Sequence, residues 1–160
     1  MPESGSFITL SLFALLNLLA ASSGAIFKPG TWYEALQKPS WTPPNWAFPV
    51  IWTIVFAMIT AAGWLVWEQA GIGALGPLLV YLINLALNAV WSGFFFGARR
   101  MDLALIDVGL LWLSIVALIL LFAPISTLAA GLLLPYLIWV SIAAFLNLRV
   151  MQMNRTAPAA

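Results

Sequence analysis

The sequence has 160 residues, of which 64% are hydrophobic and 7% are charged, and its formal net charge is +1. A soluble domain has about 25% charged residues, so the composition indicates an integral membrane protein and argues against nucleic acid as a partner. The sequence contains no cysteine and therefore no disulfide, and its lack of histidine excludes most catalytic and metal-binding constellations.

Five apolar segments are long enough to cross a bilayer, because twenty helical residues span about 30 Å. They predict an all-α membrane protein, a five-transmembrane-helix bundle that forms one domain over residues 1–160. The first segment could instead be a cleaved signal peptide, but the residues before it carry Glu3 and no Lys or Arg. The predicted spans are 7–26, 49–67, 74–97, 103–122 and 127–151.

The basic residues fall on one side of such a bundle, whereas Glu3 and Glu68 fall on the other. The positive-inside rule then places the N-terminus outside and the C-terminus in the cytoplasm. The six basic residues are Lys28, Lys38, Arg99, Arg100, Arg149 and Arg155.

The stretch from Lys28 to Phe56 contains four of the nine tryptophans and five of the ten prolines. Proline fixes φ and lacks an amide donor, so this stretch cannot be one regular helix. We expect the long cytoplasmic loop 27–48 to hold aromatic rings on a stiff backbone, as a lid over a flat, apolar molecule.

Aromatic and amide side chains recur at helical spacing in three of the spans. Each stripe alone is typical of helix packing, and asparagines commonly form hydrogen bonds between membrane helices. Together with the loop, the stripes favour a pocket for a planar, lipid-soluble molecule such as a tetrapyrrole or a sterol. The stripes are Phe48, Trp52 and Phe56; Tyr81, Asn84, Asn88, Trp91 and Phe95; and Tyr136, Trp139, Ala143 and Asn147.

Haem iron is usually held by His, Cys, Met or Tyr, and the first two are absent. We therefore expect stacking on a porphyrin rather than axial ligation, with Lys28, Lys38 and the arginines near the propionates. No metal site and no required cofactor are expected. No internal repeat is visible, which argues against an inverted-repeat transporter.

Two further features have alternative explanations. Asp107 lies inside a span, where an acid is a functional candidate, but its position near the cytoplasmic end favours contact with water or pairing with Arg99, Arg100 or Arg149. The segment from Gly93 to Gly97 matches small-xxx-small helix association, although the glycines could equally contact a neighbour in the same bundle.

Three blocks of sequence resemble the tryptophan-rich sensory protein family, also called the translocator protein or peripheral-type benzodiazepine receptor family. The resemblance covers nearly the whole chain in order, and its first block is highly specific. The first block contains Trp32-Tyr33, Leu36 to Trp41, Pro43-Pro44, Trp46 and Trp52; the second contains Leu85 to Asn88, Trp91, Phe95 to Arg99, Met101 and Ala104 to Asp107; the third contains Pro135 to Leu137, Trp139 and Leu146-Asn147.

The resemblance implies a five-helix protein that often forms a homodimer and binds porphyrins such as protoporphyrin IX or haem. For a bacterial member it implies a multi-pass protein of the inner membrane, a porphyrin receptor or carrier in tetrapyrrole and oxidative-stress regulation. The alternatives are a light-dependent porphyrin-degrading enzyme, for which Trp52 and Trp139 match the implicated pair, and a porphyrin or sterol transporter. The implied ligand-binding positions are Tyr33, Trp41, Phe48, Trp52, Asn84, Asn88, Trp91, Trp139 and Ala143.

Two positions depart from the family pattern. The animal sterol motif has a tyrosine after Leu-Asn, where this chain has Leu148. This departure weakens the expectation of motif-driven cholesterol binding. Asn84 stands where some relatives have glutamine, and the exchange keeps an amide.

Overall fold

The computed structural model describes residues 3–155, and this part of the chain is almost entirely helical. It contains no strand. It also contains a short 3-10 turn, Gly71–Ala74, and a π-helical turn, Gly93–Gly97. The α-helices are α1 (Glu3–Ile26), α2 (Thr31–Ala35), α3 (Ala47–Ala70), α4 (Leu75–Ser92), α5 (Met101–Phe122), α6 (Thr127–Leu132) and α7 (Leu134–Met153).

Four continuous helical stretches of the described chain are long and apolar enough to cross a membrane: 5–26, 47–97, 101–122 and 127–153. The second stretch has 51 residues and would measure about 77 Å if straight, more than twice the hydrocarbon thickness of a bilayer. It is interrupted at Gly71, whose φ of +50° lies in the left-handed region that glycine adopts without a steric penalty. The protein is therefore an all-helical membrane protein.

The long helices form a closed ring in which α1 packs against both α3 and α4. Beyond them α4 packs against α5, α5 packs against α7, and α6 returns to α3. Helices α3 and α4 follow each other in sequence, but α1 lies between them. The ring encloses one interior, to which α1, α3, α4, α5 and α7 all contribute.

Two sets of hydrogen bonds define the two ends of the ring. At one end, here called the loop end, the 27–46 segment meets the last turn of α7, where the Gln37 amide donates to Asn154 Oδ1 at 3.1 Å. At the opposite end, the Thr9 hydroxyl donates to Glu68 at 2.8 Å and Gln69 donates to Ser126 Oγ at 3.2 Å. Five of the six basic residues lie outside the helices, in the segments that join or follow them at the loop end, and Arg149 lies within α7, four residues before its end.

The two halves of the ring differ in packing. The half near the opposite end is filled by side chains with no exposure, including Ile59, Tyr81, Ile115, Leu118 and Phe122. Gly63 is part of this close packing, because a Cβ atom at that position would lie 2.8 Å from the rings of both Phe13 and Tyr81. The half near the loop end contains the cavity described below.

The last apolar segment is one helical stretch, 127–153, with a one-residue break at Leu133 between α6 and α7. Ser126 caps α6 by accepting a hydrogen bond from the Ala129 amide at 3.3 Å. The chain turns at Leu133, and Pro135 then occupies the first turn of α7, where its missing amide hydrogen costs no helical hydrogen bond.

The glycines of the 93–97 segment contact a neighbour in the same chain. A Cβ atom at Gly97 would lie 2.8 Å from the ring of Phe27, and one at Gly93 would lie 3.6 Å from it. Phe27 is the residue after α1, so these glycines let the loop end of α1 approach α4 and its π-helical turn closely.

The predicted pairing of Asp107 with an arginine is wrong. Asp107 is buried, and its Oδ2 atom has no hydrogen-bond partner among the described residues. Arg100 instead pairs with Asp102 at 2.6 Å, and Arg149 donates to Gln152. Asp107 belongs to the core face of α5 with Ala104, and this burial keeps it from the basic residues at the helix ends.

Candidate ligand-binding site

A cavity of about 990 Å³ occupies the loop half of the ring. This volume is at the upper limit of ordinary small-molecule pockets. Residues of α1, α3, α4, α5 and α7 line it, and the connection between α1 and α3 contributes Tyr33 and Asn45. Most lining side chains are apolar, as in sites for hydrophobic molecules.

Aromatic side chains from three helices form the walls. Trp52 of α3 and Trp139 of α7 meet edge to face, with ring centroids 6.4 Å apart. Phe48 packs on Trp139 at 5.5 Å. Trp91 of α4 lines the same cavity and stacks on Phe95 at 5.1 Å. The three indoles on separate helices therefore share one void, as the aromatic stripes predict.

Tyr33 belongs to the loop segment over the cavity. Its ring packs edge to face on Phe95 and Phe96, and only 6% of the residue is exposed. Burial raises the pKa of Tyr33 above its ordinary value of 10.0, so its hydroxyl stays protonated at neutral pH. This hydroxyl has no hydrogen-bond partner within the described chain, and Tyr33 is one of the residues that line the cavity.

Two sets of polar contacts hold the loop in place. The Lys38 ammonium donates to the carbonyl oxygens of Tyr33 at 2.7 Å and Leu36 at 3.0 Å, and lies 4.6 Å from the centre of the Tyr33 ring. Asn154 of the α7 C-cap accepts from the Gln37 amide and donates to the Gln37 carbonyl at 2.9 Å. The loop is thus fastened both to itself and to α7.

Asparagines of α4 form a hydrogen-bonded network behind the cavity wall. Asn88 donates from Nδ2 to the Tyr136 hydroxyl at 2.8 Å, and that hydroxyl donates to Asn84 Oδ1 at 3.2 Å. Asn84 also donates to Ser114 at 2.8 Å. Asn88 Oδ1 has no partner among the described residues, and Asn88 lines the cavity, so this oxygen is an acceptor for an occupant.

Asn147 completes the polar contacts of the wall. Its Oδ1 accepts from Trp91 Nε1 at 3.2 Å, and its Nδ2 donates to the Met101 carbonyl at 3.0 Å. Asn147 therefore fixes the orientation of the Trp91 indole and joins α4, α5 and α7.

The structure brings most of the predicted site residues together and leaves two outside. Trp41 stacks on Phe145 at 5.5 Å, on the outer side of α7, and 42% of it is exposed. Asn84 is fully buried behind the wall, in contact with Tyr136 and Ser114. The predicted residues that line the cavity are Tyr33, Phe48, Trp52, Asn88, Trp91, Trp139 and Ala143.

Sequence reasoning missed the contribution of α1. Asn17, Ala21 and Gly24 line the cavity from that helix. Asn17 donates to the Tyr81 hydroxyl at 2.6 Å, and its Oδ1 is buried without a partner among the described residues. A lone amide in an otherwise apolar span was the available signal, because such a group requires a polar contact inside the bundle.

The cavity reaches the outer surface of the ring between α1 and α3. Leu18 of α1 and Thr53 and Ala57 of α3 line the cavity and are also exposed. At the opposite end Phe13 of α1 packs on both Gly63 of α3 and Tyr81 of α4, and at the loop end Phe27 packs on Gly93 and Gly97 of the π-helical turn after α4. In a membrane, the opening between α1 and α3 would face the lipid.

The described part of the chain holds no group of three or more acidic, cysteine or histidine side chains placed to bind a metal ion. The described residues that line the cavity include no methionine, and Tyr33 is the one residue among them of a type that commonly ligates haem iron. Apolar stacking, with a few amide and hydroxyl contacts, is the chemistry that this site offers.

The fold and the site define the class: a helical membrane protein with an aromatic-lined cavity inside its bundle. The sequence matches the model of the TspO/MBR family over residues 11–153. It is 41% identical over 157 residues to the tryptophan-rich protein TspO of Chlorobaculum tepidum, covering 92% of this chain and 96% of the relative. It is 39% identical over 140 residues to the tryptophan-rich sensory protein of Cereibacter sphaeroides, covering 88% of this chain and 87% of that one.

The similarity extends to animal proteins. The chain is 38% identical over 148 residues to the translocator protein of Homo sapiens, covering 89% of this chain and 88% of the human one. This chain belongs to the TspO/MBR family. The resemblance stated from the three sequence blocks is confirmed.

Proposed function

We propose that this protein is a membrane receptor or carrier that binds porphyrins and related planar hydrophobic molecules in the cavity. The observation that carries the proposal is the convergence of Trp52, Trp91 and Trp139 on one void of about 990 Å³. Indole faces stack on flat conjugated rings, and the apolar lining favours a lipid-soluble occupant. The names of the relatives, translocator protein and tryptophan-rich sensory protein, agree with transport or sensing.

The site residues have different roles in this proposal. Phe48, Trp52, Trp91 and Trp139 are the stacking walls, and Tyr33 covers the cavity. Asn88 presents an acceptor, and Ala143 keeps space beside the rings. Trp41 and Asn84 act from outside, by holding the loop on Phe145 and by orienting Tyr136.

The topology belongs to the same proposal. The break at Gly71 divides the 47–97 stretch into two crossings, which gives five in total and one membrane domain. With the basic loop end in the cytoplasm, the N-terminus lies outside and the C-terminus inside. We place the protein in the bacterial inner membrane as a homodimer.

Protoporphyrin IX titrated into the protein in nanodiscs tests the binding. We expect quenching of tryptophan fluorescence in the wild type, and a rise in Kd of about tenfold or more for the Trp52→Ala, Trp139→Ala double variant, because two stacking walls are lost. Trp46→Ala is the matched control, since Trp46 is 69% exposed and outside the cavity. Equal affinity in all three proteins would refute the proposed site.

A second candidate function is light-dependent oxidation of a bound porphyrin by dioxygen. The contact between Trp52 and Trp139 favours it, because two oxidisable indoles lie against the same occupant. The porphyrin absorption band should then decay in light with the wild type, but not with Trp52→Phe or Trp139→Phe. Equal decay with an unrelated membrane protein would identify simple photobleaching.

Binding and transport are separated by a flux measurement. Proteoliposomes that contain the wild type should accumulate labelled porphyrin faster than protein-free liposomes if the protein is a carrier. A receptor should bind with the same affinity and leave the flux unchanged.

A further inference from the structure

Lys28 places a positive charge at the cavity. It lines the cavity at the loop end, two residues after the last residue of α1. Among the described residues that line the cavity, no other side chain is charged, and none is a carboxylate. Lys28 makes no ion pair or hydrogen bond within the described chain, so its ammonium is available to an occupant.

Most of the other basic residues of the loop end have partners away from the cavity. The Lys38 ammonium is surrounded by backbone carbonyl oxygens, and Arg100 pairs with Asp102. Arg149 donates to Gln152 at 2.9 Å. The sequence offered all of these groups as equal candidates for contact with propionates, whereas the structure brings only Lys28, among the described basic residues, to the cavity.

Arg99 is held at a different surface. Its guanidinium lies 5.8 Å from the centre of the Trp32 ring, and its backbone has a φ of +55° at the sharp turn before α5. Arg99 does not line the cavity.

The position of Lys28 matches the level of lipid headgroups. The apolar span of α1 ends at Ile26, and a lysine just beyond a span extends its ammonium to the membrane interface. The cavity continues from this level past Trp52 and Trp91 into the bundle, and it opens to lipid between α1 and α3. A molecule with an anionic edge and a flat apolar body would fit this cavity, with its edge at the headgroup level and its body inside the bundle.

Neutral donors lie at the same end of the cavity. The Tyr33 hydroxyl is protonated and has no partner in the described chain. Asn45, in the segment just before α3, also lines the cavity. A carboxylate accepts hydrogen bonds from an ammonium, a phenol and an amide alike. The Lys28 ammonium stabilises a negative charge at this end of the cavity and repels a positive one, and the two neutral groups can add hydrogen bonds to the anion.

We propose that Lys28 is the anion-binding group of the cavity, and that the ligand is a planar apolar molecule held with a carboxylate edge toward the loop end. This assignment rests on the proposed function, because it gives the ligand of that same cavity an orientation and a required functional group. It makes Lys28 a specificity-determining residue that separates carboxylic acids from their neutral esters.

The test compares protoporphyrin IX with its dimethyl ester in nanodiscs of zwitterionic lipid. The two molecules share the macrocycle and differ in charge at one edge. Their Kd values are measured by tryptophan quenching, with empty nanodiscs as the blank for partitioning into lipid. We expect the wild type to bind the acid about two- to fivefold more tightly than the ester, the range of a partly exposed ion pair.

Three variants test whether Lys28 causes the preference for the acid over the ester. Lys28→Gln should bind acid and ester equally, whereas Lys28→Arg should keep the preference because it keeps the charge. Arg149→Gln removes a basic residue of the same end that does not line the cavity, and should behave as the wild type. Equal binding of acid and ester by the wild type, or a preference that survives in Lys28→Gln, would overturn the proposal.

A second probe pair separates this proposal from the proposed function. 1-Pyrenebutyrate and 1-pyrenebutanol are smaller planar molecules with the same ring system. The first carries a carboxylate and the second a neutral hydroxyl. If no porphyrin binds, the proposed function fails while a preference for pyrenebutyrate that is lost in Lys28→Gln still supports the role of Lys28. If porphyrin acid and ester bind equally well, the proposed function stands and the role of Lys28 is refuted.

Discussion

At the scale of single residues, hydrogen bonds between hydroxyl and amide groups fix the positions of the aromatic side chains around the cavity. The Tyr136 hydroxyl accepts from Asn88 and donates to Asn84, so one atom joins α7 to two turns of α4. Trp52 packs against the same ring at 6.3 Å. The orientation of a cavity wall therefore depends on a network that itself lies mostly outside the cavity.

The Tyr136→Phe substitution should destabilise the protein. It leaves Asn84 Oδ1 and Asn88 Nδ2 without this partner in a dry interior, which costs about 1–2 kcal/mol. A protein of this size would then lose roughly 2–8 °C in Tm. Tyr33→Phe is the matched control, because the Tyr33 hydroxyl has no partner in the described chain. Equal Tm values for the two variants would show that the network contributes nothing to stability.

At the scale of elements, α1 governs the shape of the interior. Gly63 admits the rings of Phe13 and Tyr81 at the opposite end, and Gly97 admits the ring of Phe27 at the loop end. Phe13 also packs on Tyr81 of α4, so α1 contacts both α3 and α4 at the opposite end and the end of α4 at the loop end. The cavity lies beside the loop half of α1, and its exposed lining residues Leu18, Thr53 and Ala57 lie between α1 and α3.

The Gly63→Ala substitution should weaken the packing of α1 on α3. The new Cβ atom would lie 2.8 Å from two rings, and Tyr81 is held by Asn17 and the Ile59 carbonyl. Such overpacking costs about 1–3 kcal/mol, visible as a lower Tm. Gly109→Ala is the control, because open space surrounds that position on α5. A Tm for Gly63→Ala at or above that of the control would contradict the described packing.

The loop over the cavity should loosen when its attachment to α7 is removed. Asn154→Ala deletes the acceptor of the Gln37 amide and the donor to the Gln37 carbonyl. Hydrogen exchange of that amide should therefore accelerate by about tenfold, as expected for the loss of about 1.4 kcal/mol of local stability. Gln152→Ala, on the same turn of α7, should leave the exchange unchanged. Unchanged exchange in Asn154→Ala would show that the loop is held by other contacts.

At the scale of the whole molecule, charge and packing divide the ring into two ends. The loop end carries the basic residues, the loop and the cavity, whereas the opposite end is filled and joined by Thr9–Glu68 and Gln69–Ser126 contacts. Under the proposed function, a ligand would enter from the basic side or from the lipid between α1 and α3. The closely packed opposite end offers a ligand no comparable route.

The orientation of the ring is measurable because the sequence has no cysteine. Single cysteines at Glu34, in the loop, and at Glu68, at the opposite end, should react with an impermeant maleimide from different sides of the membrane. We expect Glu34→Cys to be labelled only in inverted vesicles and Glu68→Cys only in intact cells. Labelling of both from one side would contradict the five-crossing topology.

Much of this fold could be predicted because its determinants are periodic in the sequence. The length of the apolar segments predicted the helices. The helical spacing of aromatic residues within each span predicted that Trp52, Trp91 and Trp139 face the interior. Asn84 belongs to the predicted site through its stripe and the family resemblance, and neither says whether a residue lies at the void or one layer behind it. Similarly, Trp41 contacts Phe145 through a tertiary approach of the loop to the outer face of α7.

Other features depend on which helices become neighbours. The helix order around the ring follows from close approaches at Gly63 and Gly97, and a sequence pattern does not specify their partners. The burial of Asp107 depends on the rotation of α5 in the ring, so its nearness in sequence to basic residues was misleading. The sequence likewise does not distinguish Lys28 from the other basic residues, because its position at the cavity depends on how the loop end folds.

A structure of the protein bound to protoporphyrin IX tests the central claim most directly. We expect density for the macrocycle within van der Waals distance of Trp52, Trp91 and Trp139, beneath Tyr33. Density at the lipid-facing groove between α5 and α7, beside Trp112 and Ser141, with none between the three tryptophans, would contradict the account.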